Sequence, residues 1–86
     1  MKRVQFKMQD INTKIRAFVM RFLKNSNISD EDNLFKQGML NSLFSMQLVV
    51  YIEKEFDISV ENEDMELSNF NSIGAISRFI SKKLQN

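Results

Sequence analysis

Apolar residues crowd one stretch of the chain above all: eight of the ten positions from Leu43 to Ile52 are apolar. Gly38 punctuates the chain ahead of it, and Asn41 and Ser42 are both of the residue types that cap helices. The run continues through Glu53-Lys54-Glu55 to Phe56 without Gly or Pro. That is too long for a typical strand, so the pattern predicts a helix from Ser42 to Phe56. Leu48, Val49, Ile52 and Phe56 form one stripe, and Leu43, Met46 and Val50 form a second. A helix that is apolar on several faces wants cover on several faces. A domain of this size buries only roughly 60–65% of its unfolded surface. The first stripe is therefore expected in the core, and the second at the surface as a contact site.

The flanking elements follow the same logic. Ile11, Ile15, Phe18, Val19, Phe22 and Leu23 step by 4, 3, 1, 3 and 1, which predicts an amphipathic helix over 10–24. Asp10 or Asn12 would cap it, with Arg21 and Lys24 at its negative end. Residues 1–9 are expected to be a flexible lead-in, and 10–86 a single domain. A long polar loop over 25–41 follows, from which Leu34 and Phe35 should fold onto the core. Long loops of this kind are often functional. Residues 59–65 suggest a short helix or turn capped by Ser59 or Asn62, after which Leu67 and Phe70 are expected to enter the core. Ser72 should cap a last helix whose apolar positions are Ile73, Ile76, Phe79, Ile80 and Leu84, with Gly74 allowing close approach. The predicted fold class is all-α: a small four-helix bundle of three main helices and one short one, with a long first loop.

Composition narrows the chemistry. The chain contains no cysteine and no histidine, which removes disulfides, thiolate metal sites and the usual neutral-pH base. A nucleophilic serine would lack its ordinary activating partner, so the chain is not expected to be an enzyme. No apolar run is long enough to span a membrane, and a cytoplasmic monomer is expected. Asp30, Glu31 and Asp32 lack the spacing and central glycine of a calcium loop. Charge is segregated: residues 1–24 sum to +6, 25–70 to −8 and 71–86 to +3. Either the ends and the middle attract each other within the fold, or the acidic middle steers basic partners. Nucleic-acid binding through the basic start is disfavoured by that acidic middle.

Ser42 at a helix start reads locally as a cap. The wider pattern gives it another role. Asn33-Leu34-Phe35, Gly38-Met39-Leu40-Asn41-Ser42-Leu43, Leu48-Val49, Ile52-Glu53-Lys54-Glu55-Phe56 and Phe70-Asn71-Ser72-Ile73 together resemble the acyl and peptidyl carrier proteins, across residues 10–84. The resemblance implies a 4′-phosphopantetheine arm on Ser42, added from coenzyme A by a phosphopantetheinyl transferase. It also implies a loading enzyme and downstream synthase or tailoring enzymes, which would read Asn41, Leu43, Phe44, Met46, Gln47 and Val50. Asn41 stands where the family usually has aspartate, and Phe44 and Gln47 where fatty-acid carriers are commonly polar or acidic. The run from Asn41 to Val49 is more similar to discrete carriers of polyketide or mixed polyketide–nonribosomal peptide pathways. Some of these hold hydroxy-, methoxy- or aminomalonyl extender units. The alternative is a helical interaction module without a prosthetic group.

Overall fold

In the first helix, α1 (Met8–Met20), Ile11, Ile15, Phe18 and Val19 turn inward. The structure, a computed structural model, describes residues 6–22, 27–36 and 42–85. The helix starts earlier than the capping residues suggested. Lys7, with extended backbone, occupies the N-cap position without a side-chain cap, and Asp10 lies in the first turn. Asn12 also lies inside the helix, where its amide donates to Asp30 at 3.0 Å. The C-terminal end is shorter than predicted: Arg21 is the C-cap, and the Arg21 and Phe22 amides fold back onto the carbonyls of Phe18 and Val19. Lys24 lies outside the described residues. Phe6, expected in the lead-in, meets the ring of Phe56 edge-on at 4.9 Å, and residues 1–5 lie outside the described residues.

The second helix, α2 (Ser42–Phe56), has the predicted bounds. Its buried row differs in one member. Phe44, Leu48, Ile52 and Phe56 are 2, 2, 0 and 2% exposed, an unbroken i, i+4 series that forms one face. Val49, expected in that row, is half-buried at its edge. Phe44 was expected on the partner-reading surface, and the fold corrects this. Its ring lies against Phe22 at 5.1 Å and Phe18 at 6.1 Å, where the aromatic face of α1 draws it inward.

A single 3₁₀ turn follows at Asn62–Asp64, with Glu61 rather than Ser59 or Asn62 at its N-cap. Asp64 closes it by accepting the Glu61 amide at 2.9 Å. The short α3 (Leu67–Phe70) is one turn long. A single turn offers its neighbour one face, and Phe70 takes it, packing on Phe79 at 5.3 Å. Leu67, expected in the core, is 68% exposed. The last helix, α4 (Ile73–Leu84), begins as predicted: Ser72 Oγ accepts the Ala75 amide at 3.0 Å.

The bundle is all-α among the described residues, with α4 packed along α1 and meeting α2 and α3. Ile15, Val19, Leu34, Ile52, Ile73, Ile76 and Ile80 have no exposed surface. The loop after α1 is tied down rather than draped. Leu34 is buried and its amide donates to the Asn71 carbonyl at 2.8 Å.

Each ion pair among the described residues joins a basic end of the sequence to its acidic middle: Lys14–Glu55 at 2.7 Å, Arg16–Asp30, Arg78–Glu31 at 3.0 Å and Lys83–Asp64 at 2.7 Å. Four of the ten acids of that middle thus pair inside the molecule, holding it against α1 and α4. The three clustered carboxylates diverge: Asp30 takes Arg16 and Asn12, Glu31 takes Arg78, and Asp32 accepts the Ser29 amide. Among the described residues, no helix is long and apolar enough to cross a membrane.

Candidate functional site

Ser42 is the first residue of α2, a 15-residue helix with no acidic side chain in its first turn. The aligned peptide dipoles make such an end positive. With no acidic side chain in that first turn, a phosphodiester on the serine would be well placed there. Asn41, expected to help partner recognition, lies outside the described residues, as does the loop from Gln37 to Leu40.

Beside Ser42 the helix presents two surfaces. On one, Leu43, Met46 and Val50 are 64, 66 and 50% exposed. They line a shallow, largely apolar hollow with Gln47, Phe18 and Tyr51. The second stripe read from the sequence is therefore at the surface. Phe18 and Tyr51 were not anticipated there. Their rings stack at 4.7 Å, and the signal in the sequence was slight: Tyr51 falls one residue after Val50, on the border between the stripes. The Tyr51 hydroxyl donates to the Lys14 carbonyl at 3.4 Å. Burial, and then the Glu55 carboxylate, push its phenol above the ordinary value.

On the other surface, Ser45 and Val49 line a small cleft of about 90 Å³, open to solvent, with Phe35 on one wall and Met65, Leu67 and Phe70 on another. Phe44 and Leu48 form its floor. Phe35 is held by its own loop, its amide donating to the Asn33 side chain at 2.8 Å. Periodicity could not reveal this cleft, because its walls come from a loop and a single helical turn.

The fold is thus a small helical domain in which a serine opens α2 beside an exposed apolar face. Residues 13–80 match the family described as "Phosphopantetheine attachment site". The chain belongs to this phosphopantetheine-binding carrier family, whose members carry covalently attached 4′-phosphopantetheine and are not themselves enzymes. It is similar to a D-alanyl carrier protein of Streptococcus uberis, with 37% identity over 73 residues that cover 84% of this chain and 90% of that protein. A D-alanyl carrier protein of Lactococcus lactis subsp. cremoris is 31% identical over 51 residues, covering 59% of this chain and 65% of that protein.

Proposed function

We propose that Ser42 is the residue that carries the arm, and that residues 10–86 act as a single carrier domain, working in the cytoplasm as a monomer. The observation behind this is the position of Ser42 at the head of α2, where an acid-free first turn adjoins the exposed Leu43, Met46 and Val50. In the attachment step the serine oxygen bonds to the phosphorus next to pantetheine in coenzyme A. The phosphoanhydride bond breaks, and 3′,5′-ADP leaves with its electron pair. The serine proton passes to a base of the transferase, which also holds the Mg²⁺. The arm supplies the thiol that a chain without cysteine lacks. Asn41, Leu43, Met46, Gln47 and Val50 then meet the transferase, the loading enzyme and the enzymes that consume the cargo.

The cargo is a small acyl or aminoacyl unit held as a thioester, in polyketide or mixed polyketide–nonribosomal peptide synthesis. The run Asn41-Ser42-Leu43-Phe44-Ser45-Met46-Gln47-Leu48-Val49 supports a malonyl-type extender unit. A second reading, D-alanine, is favoured by the named function of the relatives. Intact mass of the protein isolated from its own cells separates the two by the increment on the arm.

The direct test is intact mass after incubation with coenzyme A, Mg²⁺ and a broad-specificity phosphopantetheinyl transferase. The parent should gain one arm and Ser42→Ala none, at a stability cost of about 0.5–2 kcal/mol if the hydroxyl also caps α2. A gain in the mutant would move the attachment point elsewhere. If the parent gains nothing, Asn41→Asp restores the family's usual residue; failure of that variant as well would leave the proposal without support.

A further inference from the structure

The single turn of α3 gives Leu67 and Phe70 to the cleft beside α2, and Ser68 and Asn69 to a different hollow. There they stand across from α4 over a groove of about 350 Å³, open to solvent, that no residue of α2 lines. On α4, Ala75, Arg78, Phe79 and Lys82 recur at i, i+3, i+4 and i+7, the spacing of one helix face. Ala75 and Phe79 are buried and make an apolar floor, while Arg78 and Lys82 are exposed above it.

Three cations and one carboxylate line this groove. The carboxylate, Asp64, is held by Lys83 at 2.7 Å. Asp64, and beyond it Glu61 and Glu63, raise the Lys83 ammonium above its usual value, so that end is balanced. Arg78 shares its charge with Glu31 at 3.0 and 3.3 Å in an exposed pair. Lys82 makes no ion pair among the described residues. The uncompensated positive charge therefore sits at the Arg78–Lys82 end, above Phe79.

We propose that the groove between α3 and α4 binds an acidic segment of a partner protein that stays on the carrier while other enzymes take turns at Ser42. An apolar side chain of that segment rests on Phe79, and a neighbouring glutamate or aspartate meets Lys82 and Arg78. This rests on the carrier reading, in which each enzyme must reach the head of α2. A partner retained through those exchanges needs a surface elsewhere, and this groove supplies one. Its concave shape, with Glu61 and Glu63 near the Lys83 end, suits a short segment better than an extended polyanion. Exposed ion pairs add little affinity but set the sign of charge that is accepted.

Two peptides test this, titrated into ¹⁵N-labelled, unmodified protein. Both carry a central Leu, flanked by Glu in one and by Lys in the other. The Glu peptide should shift the amides of Ser68, Asn69, Ala75 and Lys82. It should bind about fivefold more tightly than the Lys peptide at low salt, and lose most of that margin at high salt. Lys82→Glu should reverse the preference; the position is exposed, and an unchanged thermal melt checks that the fold is intact. The Glu peptide at saturation should leave the rate of arm attachment to Ser42 unaltered. Equal affinities for the parent, shifts centred on Leu43, Met46 and Val50, or slowed attachment overturn the proposal. So do phosphatidylglycerol vesicles that bind through Lys82 where the Glu peptide does not, which would give the groove to a lipid surface. If the parent takes no arm while the Glu preference and its reversal stand, the carrier reading falls and the acidic-segment site survives. Arm attachment without the Glu preference removes the groove alone.

Discussion

The amide of Gly74 donates a hydrogen bond of 2.7 Å to the carbonyl of Asp30, drawing the acidic loop across the first turn of α4. A methyl group on Gly74 would stand 2.2 Å from Glu31 Oε2 and 3.1 Å from the Arg78 guanidinium. Both atoms end long side chains that are 66 and 59% exposed and free to swing aside. Gly74→Ala therefore gives up a surface ion pair worth about 0–1 kcal/mol and gains about 1 kcal/mol of helix propensity. The thermal midpoint should stay within a few degrees of the parent. A loss above about 2 kcal/mol in urea titration would show that the loop backbone, and not only Glu31, had been displaced.

The two stripes of α2 should separate cleanly under mutation. Ile52 has no exposed surface, and Ile52→Ala should cost about 2–5 kcal/mol; Phe44→Ala, emptying the space beside Phe18 and Phe22, about 3–5 kcal/mol. Met46→Ala, at 66% exposure, should stay within about 0.5 kcal/mol. Denaturant midpoints decide it. A Phe44→Ala variant as stable as Met46→Ala would return Phe44 to the surface.

These contrasts mark what the sequence could and could not tell. The bounds of α2 were readable because a long apolar run without Gly or Pro admits one element. Ser72 was readable as a cap because a polar residue stood directly before a 3.6-residue pattern. The division of α2 into faces was harder. With eight apolar residues in ten, Phe44 and Val49 each fit two stripes, and only the rings of α1 decide between them. Leu67 failed for another reason: hydrophobicity argues for burial, but the single turn of α3 points Phe70 at Phe79 and leaves Leu67 outside. The loop after α1 was legible through Leu34 and opaque through Asp30 and Glu31, whose partners lie far away in the sequence.

Acid should loosen the fold through identifiable carboxylates. Lys83, and then the Glu61 amide, hold Asp64 below the usual carboxylate range; Arg78 does the same to Glu31, and the Ser29 amide to Asp32. These groups bind fewer protons folded than unfolded, so their contribution is complete above about pH 4.5 and is lost as pH falls through their folded values. The sign inverts for Lys14 and Lys83, raised by Glu55 and Asp64. Their contribution is full below about pH 10 and is lost as pH rises through the folded values. Thermal melts across the acid range should fall more steeply for the parent than for Asp64→Asn. Parallel curves would remove Asp64 from the account.

Asp57, directly after α2, has a φ of 55°. That left-handed conformation strains a residue with a side chain and suits glycine. Asp57→Gly should stabilise the domain by about 1 kcal/mol, seen calorimetrically as a rise of about 4–8 °C. A fall in the midpoint would mean that the unfolded chain's added freedom outweighs the relieved strain.

Tyr51 stacks on Phe18 at the edge of the hollow beside Leu43 and Val50, and it is the sole tyrosine of a chain without tryptophan. All long-wavelength protein emission therefore originates from one ring, half-buried between the core and the proposed docking face. The molecule carries its own optical reporter. Unfolding separates the stacked pair, whereas an arriving partner leaves it stacked and strips water from the phenol's flank, so the two events should leave different spectral signatures without any attached dye.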